Sequence, residues 1–152
     1  MPQLKNDPGR IYNIAGVIVK QKEIITPSGY PVRPLTVTTI STAAAVTYSA
    51  AEVLGGLILR DPNGAGRSDV TPTAAEIIHA LKPTSANVSF QFTVRNTADA
   101  SETITVTAGT GITLSGTMTI AQNNSKDFLA VITSIAPGAE AVTIYSLGTE
   151  TT

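Results

Sequence analysis

The second half of the chain alternates hydrophobic and polar residues with a period of two, which predicts β-strands. The clearest run is Phe90 to Arg95, FQFTVR, in which the two phenylalanines and the valine share one face. Similar runs follow at residues 103–107, 112–114 and 117–120. Residues 108–111, AGTG, have the composition of a hairpin loop between the first two of these runs. Short strands separated by turn-forming residues are typical of a β-sandwich or a barrel.

Two later runs are hydrophobic on both faces, namely Phe128 to Ile132 and, less completely, Val142 to Leu147. Strands of this kind lie either at the centre of a two-layer core or against another subunit. We favour the second interpretation because the chain carries few charges. Leu129, Val131 and Tyr145 are therefore predicted to lie at a subunit interface.

The pattern changes to a helical period only once, at residues 74–81. Thr73 and Glu76 have the spacing of a capping box, and hydrophobic residues then recur at helical intervals until Pro83 ends the segment. His79, the only histidine of the chain, falls outside the hydrophobic stripe, so we expect it on the surface.

Residues 1–34 differ from the rest, because they contain five of the nine prolines and five basic residues. Proline removes a backbone donor and favours an extended conformation in the preceding residue, so this segment is predicted to be an arm. Ile14 to Val19 is the run able to add as a strand to an exposed sheet edge, and the basic groups can meet acidic groups of a partner. The candidate attachment residues are Ile14, Val17, Val19, Lys20, Lys22 and Arg33. Alternatively, the run pairs within its own sandwich, which leaves only residues 1–10 as a free tail.

These patterns predict an all-β fold: a β-sandwich or jelly roll with one short helix in residues 35–152, preceded by an extended attachment arm in residues 1–34. A chain of 152 residues is long enough to bury such a core without disulfides, and it has no cysteine. The longest apolar stretches fall far short of the roughly 20 residues that cross a bilayer. The first ten residues lack the features of a secretory signal, so we expect synthesis in the cytoplasm.

The surface has an unusual composition. Only 14% of the residues are charged, against roughly 25% in an ordinary domain, and 23 threonines and 11 serines take their place. The net charge of -1 gives no basic stripe for nucleic acid or an anionic membrane, and little repulsion between copies. There is no tryptophan for a carbohydrate platform, and Phe90, Phe92 and Phe128 are predicted to lie in the core, because each falls on the hydrophobic face of a strand. Three tyrosines remain as candidates to anchor an interface: Tyr12, Tyr30 and Tyr48.

Nothing in the sequence has the arrangement of a catalytic site. One histidine, no cysteine and thinly spread carboxylates supply neither a proton-transfer pair nor a multi-histidine metal site. No serine lies in a nucleophile elbow. We therefore expect no enzymatic activity, no cofactor, no metal and no small-molecule substrate.

The most polar loop is Asp61 to Asp69, DPNGAGRSD. Its first residues resemble a calcium loop, but the late glutamate is missing, and no Lys-Ser or Lys-Thr follows to bind phosphate. We expect a structured loop closed by ion pairs among Arg60, Asp61, Arg67 and Asp69. As a subsidiary hypothesis, these four residues lie at or near the subunit contact, where arginine–aspartate pairs between copies would fix its register.

Four segments together resemble a module found in the structural proteins of tailed bacteriophage virions: ILRDPNGAGRSD, PTAAEIIHAL, FQFTVRNTADASETITVTAGTGITLSGTMTIAQNNSK and AVTIYSLGT. The family most similar in kind is that of head decoration, or cement, proteins. The resemblance extends over about two thirds of the chain, roughly Leu57 to Thr149, and the first 50 residues do not share it.

The resemblance implies a small β-sandwich, often trimeric, that lies on the outside of a capsid, binds the major capsid protein and has no enzymatic activity. The chain would then be made in the host cytoplasm and end on the virion exterior. Some proteins with the same pattern belong to tails or fibres, so a tail-associated module that recognises a host surface is the alternative. An enzyme or a small-ligand binder is the third hypothesis.

Overall fold

The structure, a computed structural model, describes residues 12–14, 17–19, 24–25, 31–32 and 35–151, with residues before 35 and after 148 described by their backbone alone. The chain divides into two units, Met1–Pro34 and Leu35–Thr152. In the first unit, β1 (Tyr12–Ile14) pairs antiparallel with β2 (Val17–Val19), and β3 (Ile24–Ile25) pairs antiparallel with β4 (Pro31–Val32). The run predicted as one strand is therefore divided between β1 and β2.

The second unit contains two short helices and nine strands among its described residues. In chain order these are β5 (Thr36–Ser41), α1 (Ala50–Gly55), β6 (Gly56–Asp61), β7 (Arg67–Val70), α2 (Ala74–Leu81), β8 (Ser89–Asn96), β9 (Ile104–Thr107), β10 (Ile112–Ser115), β11 (Thr119–Ile120), β12 (Asn124–Ser134) and β13 (Ala141–Thr151).

The predicted all-β sandwich is wrong, because the fold is mixed α/β with two mixed sheets. The larger sheet has the order β10-β13-β12-β8-β6-β5, in which β10/β13, β8/β6 and β6/β5 are parallel pairs. The smaller has the order β11-β9-β7, with β9 and β7 parallel. Parallel neighbours need crossover connections, and one of them, from β5 to β6, passes through α1. A period of two cannot reveal this, because side chains alternate in the same way in parallel and antiparallel strands.

Each helix begins with a capping box. In α2, Thr73 Oγ1 accepts a hydrogen bond from the Glu76 N–H at 3.2 Å, and Glu76 Oε2 accepts one from the Thr73 N–H at 2.8 Å. This confirms the predicted helix, and His79 is exposed as expected. The sequence analysis missed α1, although Ser49 and Glu52 make the same reciprocal pair of bonds. The pattern Ser-x-x-Glu was present, but only six helical residues follow it.

The predicted hairpin over residues 108–111 is also wrong, because β9 and β10 belong to different sheets. The loop instead packs against the residues that lead into α2. The Gly109 N–H donates to Thr71 Oγ1 at 2.8 Å, and the Ala74 N–H donates to the Thr110 carbonyl at 2.9 Å. The AGTG segment is therefore a connection from one sheet to the other.

One hydrophobic cluster fills the space between the layers. The larger sheet turns its inner face toward both helices and the smaller sheet. Phe90, Phe92 and Phe128 are all buried there, and the rings of Phe92 and Phe128 stack with centroids 5.0 Å apart. These three phenylalanines were predicted to be core, and the structure confirms it.

The close packing of the 108–111 loop predicts that Gly109→Ala is destabilising. A Cβ at this position would lie 2.5 Å from the Thr71 carbonyl oxygen and 2.8 Å from that of Pro72, and both contacts are with backbone. We expect the free energy of unfolding to fall by about 1 to 3 kcal/mol, as measured by urea denaturation. Ala108→Ser, at the exposed neighbouring position, is the control and should change stability little. Equal stability of Gly109→Ala and the wild type would contradict the packing described here.

Candidate interaction surfaces

An ion pair joins the two sheets in the interior of the second unit. Arg60 on β6 and Asp69 on β7 both have fully buried side chains, and Arg60 Nε lies 2.8 Å from Asp69 Oδ2. β6 belongs to the six-stranded sheet and β7 to the three-stranded sheet. The pair therefore fixes the distance between the layers at this point.

The remaining donors of the guanidinium hold the segment that connects β5 to α1. Arg60 Nη1 donates to the carbonyls of Thr42, at 3.0 Å, and Asp61, while Nη2 donates to the Ala44 carbonyl at 2.7 Å. Asp69 holds the same segment through its carboxylate, because Oδ1 accepts from the Val46 N–H at 3.0 Å. The segment is thus fastened to the ion pair through its backbone.

Tyr48 completes this network. Its hydroxyl donates to Asp69 Oδ2 at 2.9 Å, and only 1% of the residue is exposed. Burial, with the nearby Asp69 carboxylate as the next cause, raises the pKa of the Tyr48 hydroxyl far above its ordinary value. The expectation that Tyr48 is free to anchor an interface is wrong, because its polar end is used inside the chain.

The four loop residues predicted at a subunit contact have different environments. The side chains of Arg60 and Asp69 are fully buried and pair with each other, so neither is exposed to a partner subunit. Asp61 is half-buried, and its Oδ1 accepts from the Asn63 N–H at 2.9 Å. Arg67 is also half-buried, and its Nε is enclosed without a hydrogen-bond partner in the structure. Of the ion pairs predicted here, the described residues form only that between Arg60 and Asp69. What this loop offers to a partner is its exposed tip, residues 63–66.

Two further buried polar residues hold the tip and the loop beside it. Glu102 Oε1 accepts from the Gly64 N–H at 2.7 Å, while its other oxygen is buried without a partner in the structure. Asn96 Nδ2 donates to the carbonyls of Glu102 and Ile120, and its Oδ1 accepts from the Ala98 N–H. Sequence analysis missed both residues. A signal existed for Asn96, which continues the alternation of buried positions along β8.

The predicted interface residues Leu129, Val131 and Tyr145 lie together on the outer face of the larger sheet, opposite the core. Leu129 is paired with Tyr145 on β13, and on its other side with Gln91 on β8. Leu129 and Val131 are half-buried, whereas Tyr145 is 41% exposed. The structure therefore brings these three residues onto one surface.

The residues paired with these three across the neighbouring strands are uncharged. Val131 is paired with Thr143 and Ser89, and the edge strand β10 adds Thr113 and Ser115 beside Thr143 and Tyr145. We call this surface the outer-face patch; it consists of Ser89, Gln91, Thr113, Ser115, Leu129, Val131, Thr143 and Tyr145. None of these side chains carries a charge.

Charged side chains on the same face lie farther along the strands. Asp127 follows the patch on β12, where its Oδ1 accepts from Thr93 Oγ1 at 2.6 Å. Arg95 lies one step beyond, opposite Ser125, and Nη1 approaches Ser125 Oγ at 3.4 Å. The face is therefore divided into an uncharged half and a half that carries charges.

Among the residues whose side chains the structure describes, three other large hydrophobic ones are exposed outside the patch. Leu35 is 59% and Val37 is 54% exposed at β5, the opposite edge of the sheet. Leu147 is 51% exposed where a β-bulge interrupts the pairing of β12 with β13. Hydrophobic exposure is thus found at both ends of the larger sheet.

The predicted attachment residues belong to the first unit. Ile14 is paired with Val17 across β1 and β2, and Val19 is paired with Tyr12. Lys20, Lys22 and Arg33 lie outside the described residues. Tyr30, another predicted anchor, also lies outside them.

The described part of the chain contains no group of three residues suited to hold a metal ion. None of its helices is long and apolar enough to span a bilayer. The buried ionisable groups of the network described above bind backbone atoms or one another, so their role is structural.

The buried network predicts that Arg60→Met is strongly destabilising. The substitution leaves the Asp69 carboxylate buried without its cation and two carbonyls without donors, so we expect a loss of about 3 to 5 kcal/mol in urea denaturation. The double variant Arg60→Met, Asp69→Leu removes both charges. It still leaves the Val46 N–H and the carbonyls of Thr42 and Ala44 without hydrogen-bond partners. Its free energy of unfolding should therefore remain at least about 2 kcal/mol below that of the wild type. A double variant as stable as the wild type would refute the importance of the backbone bonds.

The buried hydroxyl of Tyr48 leads us to predict that the free energy of unfolding falls at alkaline pH. Its pKa is raised in the folded state, so its contribution is complete below the unfolded-state pKa of about 10 and is lost as the pH rises above that value. Between pH 9 and pH 11 the free energy of unfolding should therefore fall more steeply for the wild type than for Tyr48→Phe. Parallel curves from chemical denaturation at each pH would show that the hydroxyl makes no such contribution.

No protein-family model matches the sequence, and no curated protein matches it. The likeness to phage head decoration proteins consequently rests on the sequence segments given above.

Proposed function

We propose that this protein is a structural component of a virion, a homotrimer that decorates and stabilises the outside of a tailed-phage capsid and attaches through its N-terminal arm. The observation that carries the proposal is the outer face of the larger sheet, where Tyr145 is 41% exposed, Leu129 and Val131 are half-buried beside it, and the residues paired with them are uncharged. Hydrophobic side chains grouped on an uncharged, solvent-facing sheet surface favour association. A protein that functions within an assembly needs a surface of this kind to contact its neighbours.

The division of the chain into two units supports the same proposal. The described core cluster draws its residues from Ile40 to Ile144, so the second unit has a core of its own. Our proposal assigns the arm to binding the capsid. Ordering an extended segment costs roughly 1 to 2 kcal/mol per residue, and contacts with a capsid shell would offset that cost.

Stabilisation of a capsid follows from preferential binding. A protein that binds the assembled lattice better than the free subunits shifts the equilibrium toward the lattice by mass action. Three arms on one trimer increase the effect, because the first bound arm raises the effective concentration of the other two. The basic residues Lys20, Lys22 and Arg33 would meet acidic groups on the capsid.

The proposal predicts that the arm is required for binding to capsids. Full-length protein should cosediment with phage heads assembled without it, in hundreds of copies per particle. A chain limited to residues 35–152 should stay folded by circular dichroism and fail to bind. The full-length variant Lys20→Glu, Lys22→Glu should bind more weakly and lose the salt dependence of the wild type.

Each alternative has its own outcome in this experiment. Binding by the truncated chain would place attachment in the second unit. Unfolding or aggregation of the truncated chain would show that the first unit belongs to the core. A few copies per virion, located at the tail, would replace decoration with the tail-associated function.

A further inference from the structure

We infer that copies of this chain meet through the outer-face patch, with Tyr145 of each copy close to the symmetry axis. The inference deepens the proposed function, on which its threefold symmetry rests, by assigning the surface that forms the oligomer. The partner at the patch is a second copy of the same chain. Neither the arm nor the capsid is required there.

The distribution of charge identifies this partner. Near a rotation axis a side chain meets its own symmetry copies, so any charge placed there meets a like charge. Like charges in contact are strongly unfavourable, and such a position therefore has to be neutral. The patch fulfils this condition, whereas Asp127 and Arg95 on the same face lie outside it. A capsid surface with acidic groups would instead require basic residues, and the chain carries those on its arm.

The shape and chemistry of the patch suit a contact between copies. Four adjacent strands, β10, β13, β12 and β8, form its floor, so the backbone beneath it is held on both sides except at β10. Tyr145 lies between Ser115 on β10 and Leu129 on β12. Tyrosine supplies a large contact area and a hydroxyl at low entropic cost. The surrounding threonine and serine hydroxyls can form hydrogen bonds across the contact, and no charge has to be desolvated.

We assign the contact between copies to the uncharged half of the outer face and exclude the corner near Val37 from it. Val37 is more exposed than Tyr145, 54% against 41%, so exposure alone would favour it. It lies at β5, however, in the row of paired residues that contains Leu57, Thr93 and Asp127. A threefold axis at that row would bring copies of Asp127 near one another. Val37 therefore serves as the matched control.

The experiment uses full-length protein with Tyr145→Lys or Tyr145→Glu, compared with Val37→Lys and Val37→Glu. Each variant is examined by light scattering coupled to gel filtration over a range of concentrations. Both Tyr145 variants should weaken the oligomer by roughly a hundredfold or more, because each places like charges together. Both Val37 variants should retain the wild-type mass. Circular dichroism checks that all four remain folded, which is expected since both positions are exposed.

Mixing the two Tyr145 variants tests contact between the residues directly. If Tyr145 meets its own copies, an equimolar mixture of the lysine and glutamate variants should form mixed oligomers more stable than those of either variant alone. A heterologous partner surface gives no such rescue, because each variant would still meet the same unchanged residues. Native mass spectrometry distinguishes mixed from uniform oligomers by mass.

The possible results either support or overturn the inference. A wild-type monomer at tens of micromolar overturns it, as do Tyr145 variants that keep the wild-type mass, or weakening by the Val37 variants to the same degree. Failure to rescue on mixing overturns the placement of Tyr145 near the axis. The capsid-binding experiment is independent of all of these. An oligomer held by the patch that binds no phage heads would refute decoration and leave this inference intact.

Discussion

The ion pair between Arg60 and Asp69 is the contact on which the arrangement of the two sheets depends. A buried pair of charges is a weak source of stability when it stands alone, because both ions have lost their water. Here every nitrogen of the guanidinium has an acceptor, and three of these acceptors are backbone carbonyls. The carboxylate in turn accepts from Val46 and Tyr48. The pair thus fastens the backbone of the segment between β5 and α1 to both sheets.

This arrangement separates the polar groups that build the fold from the surface proposed to associate. Arg60, Asp69, Asn96 and Tyr48 are used inside, where they fasten loops to the sheets. The outer face of the larger sheet is left to hydroxyl, amide and hydrophobic side chains. A protein with only 14% charged residues can afford such a surface when association is its role, since neutral faces approach one another without repulsion.

The predictions that were wrong concern which segments lie next to one another, and they were wrong for the same reason. Strand β8 was predicted close to its observed bounds, because alternation reports which residues face a core, whereas only the central parts of β12 and β13 were predicted. Their partners were not predicted, because alternation is the same whichever strand lies alongside. The Gly109 loop therefore resembled a hairpin turn, although its contacts are with Thr71 and Ala74. Similarly, Tyr48 resembled a free aromatic residue until Asp69 was found beside its hydroxyl.

The sequence by itself determined the positions of several strands, the helix after Thr73 and the phenylalanine core. It also determined that the two strands containing Leu129, Val131 and Tyr145 are hydrophobic on both faces. These are local properties, set by side-chain period, capping residues and hydrophobicity. Only the tertiary structure decided that the sheets are mixed, that Arg60 and Asp69 are buried together, and that the three interface candidates share an uncharged face. These depend on which segments become neighbours across the fold, and that is settled by burial and hydrogen bonding summed over residues far apart in the chain.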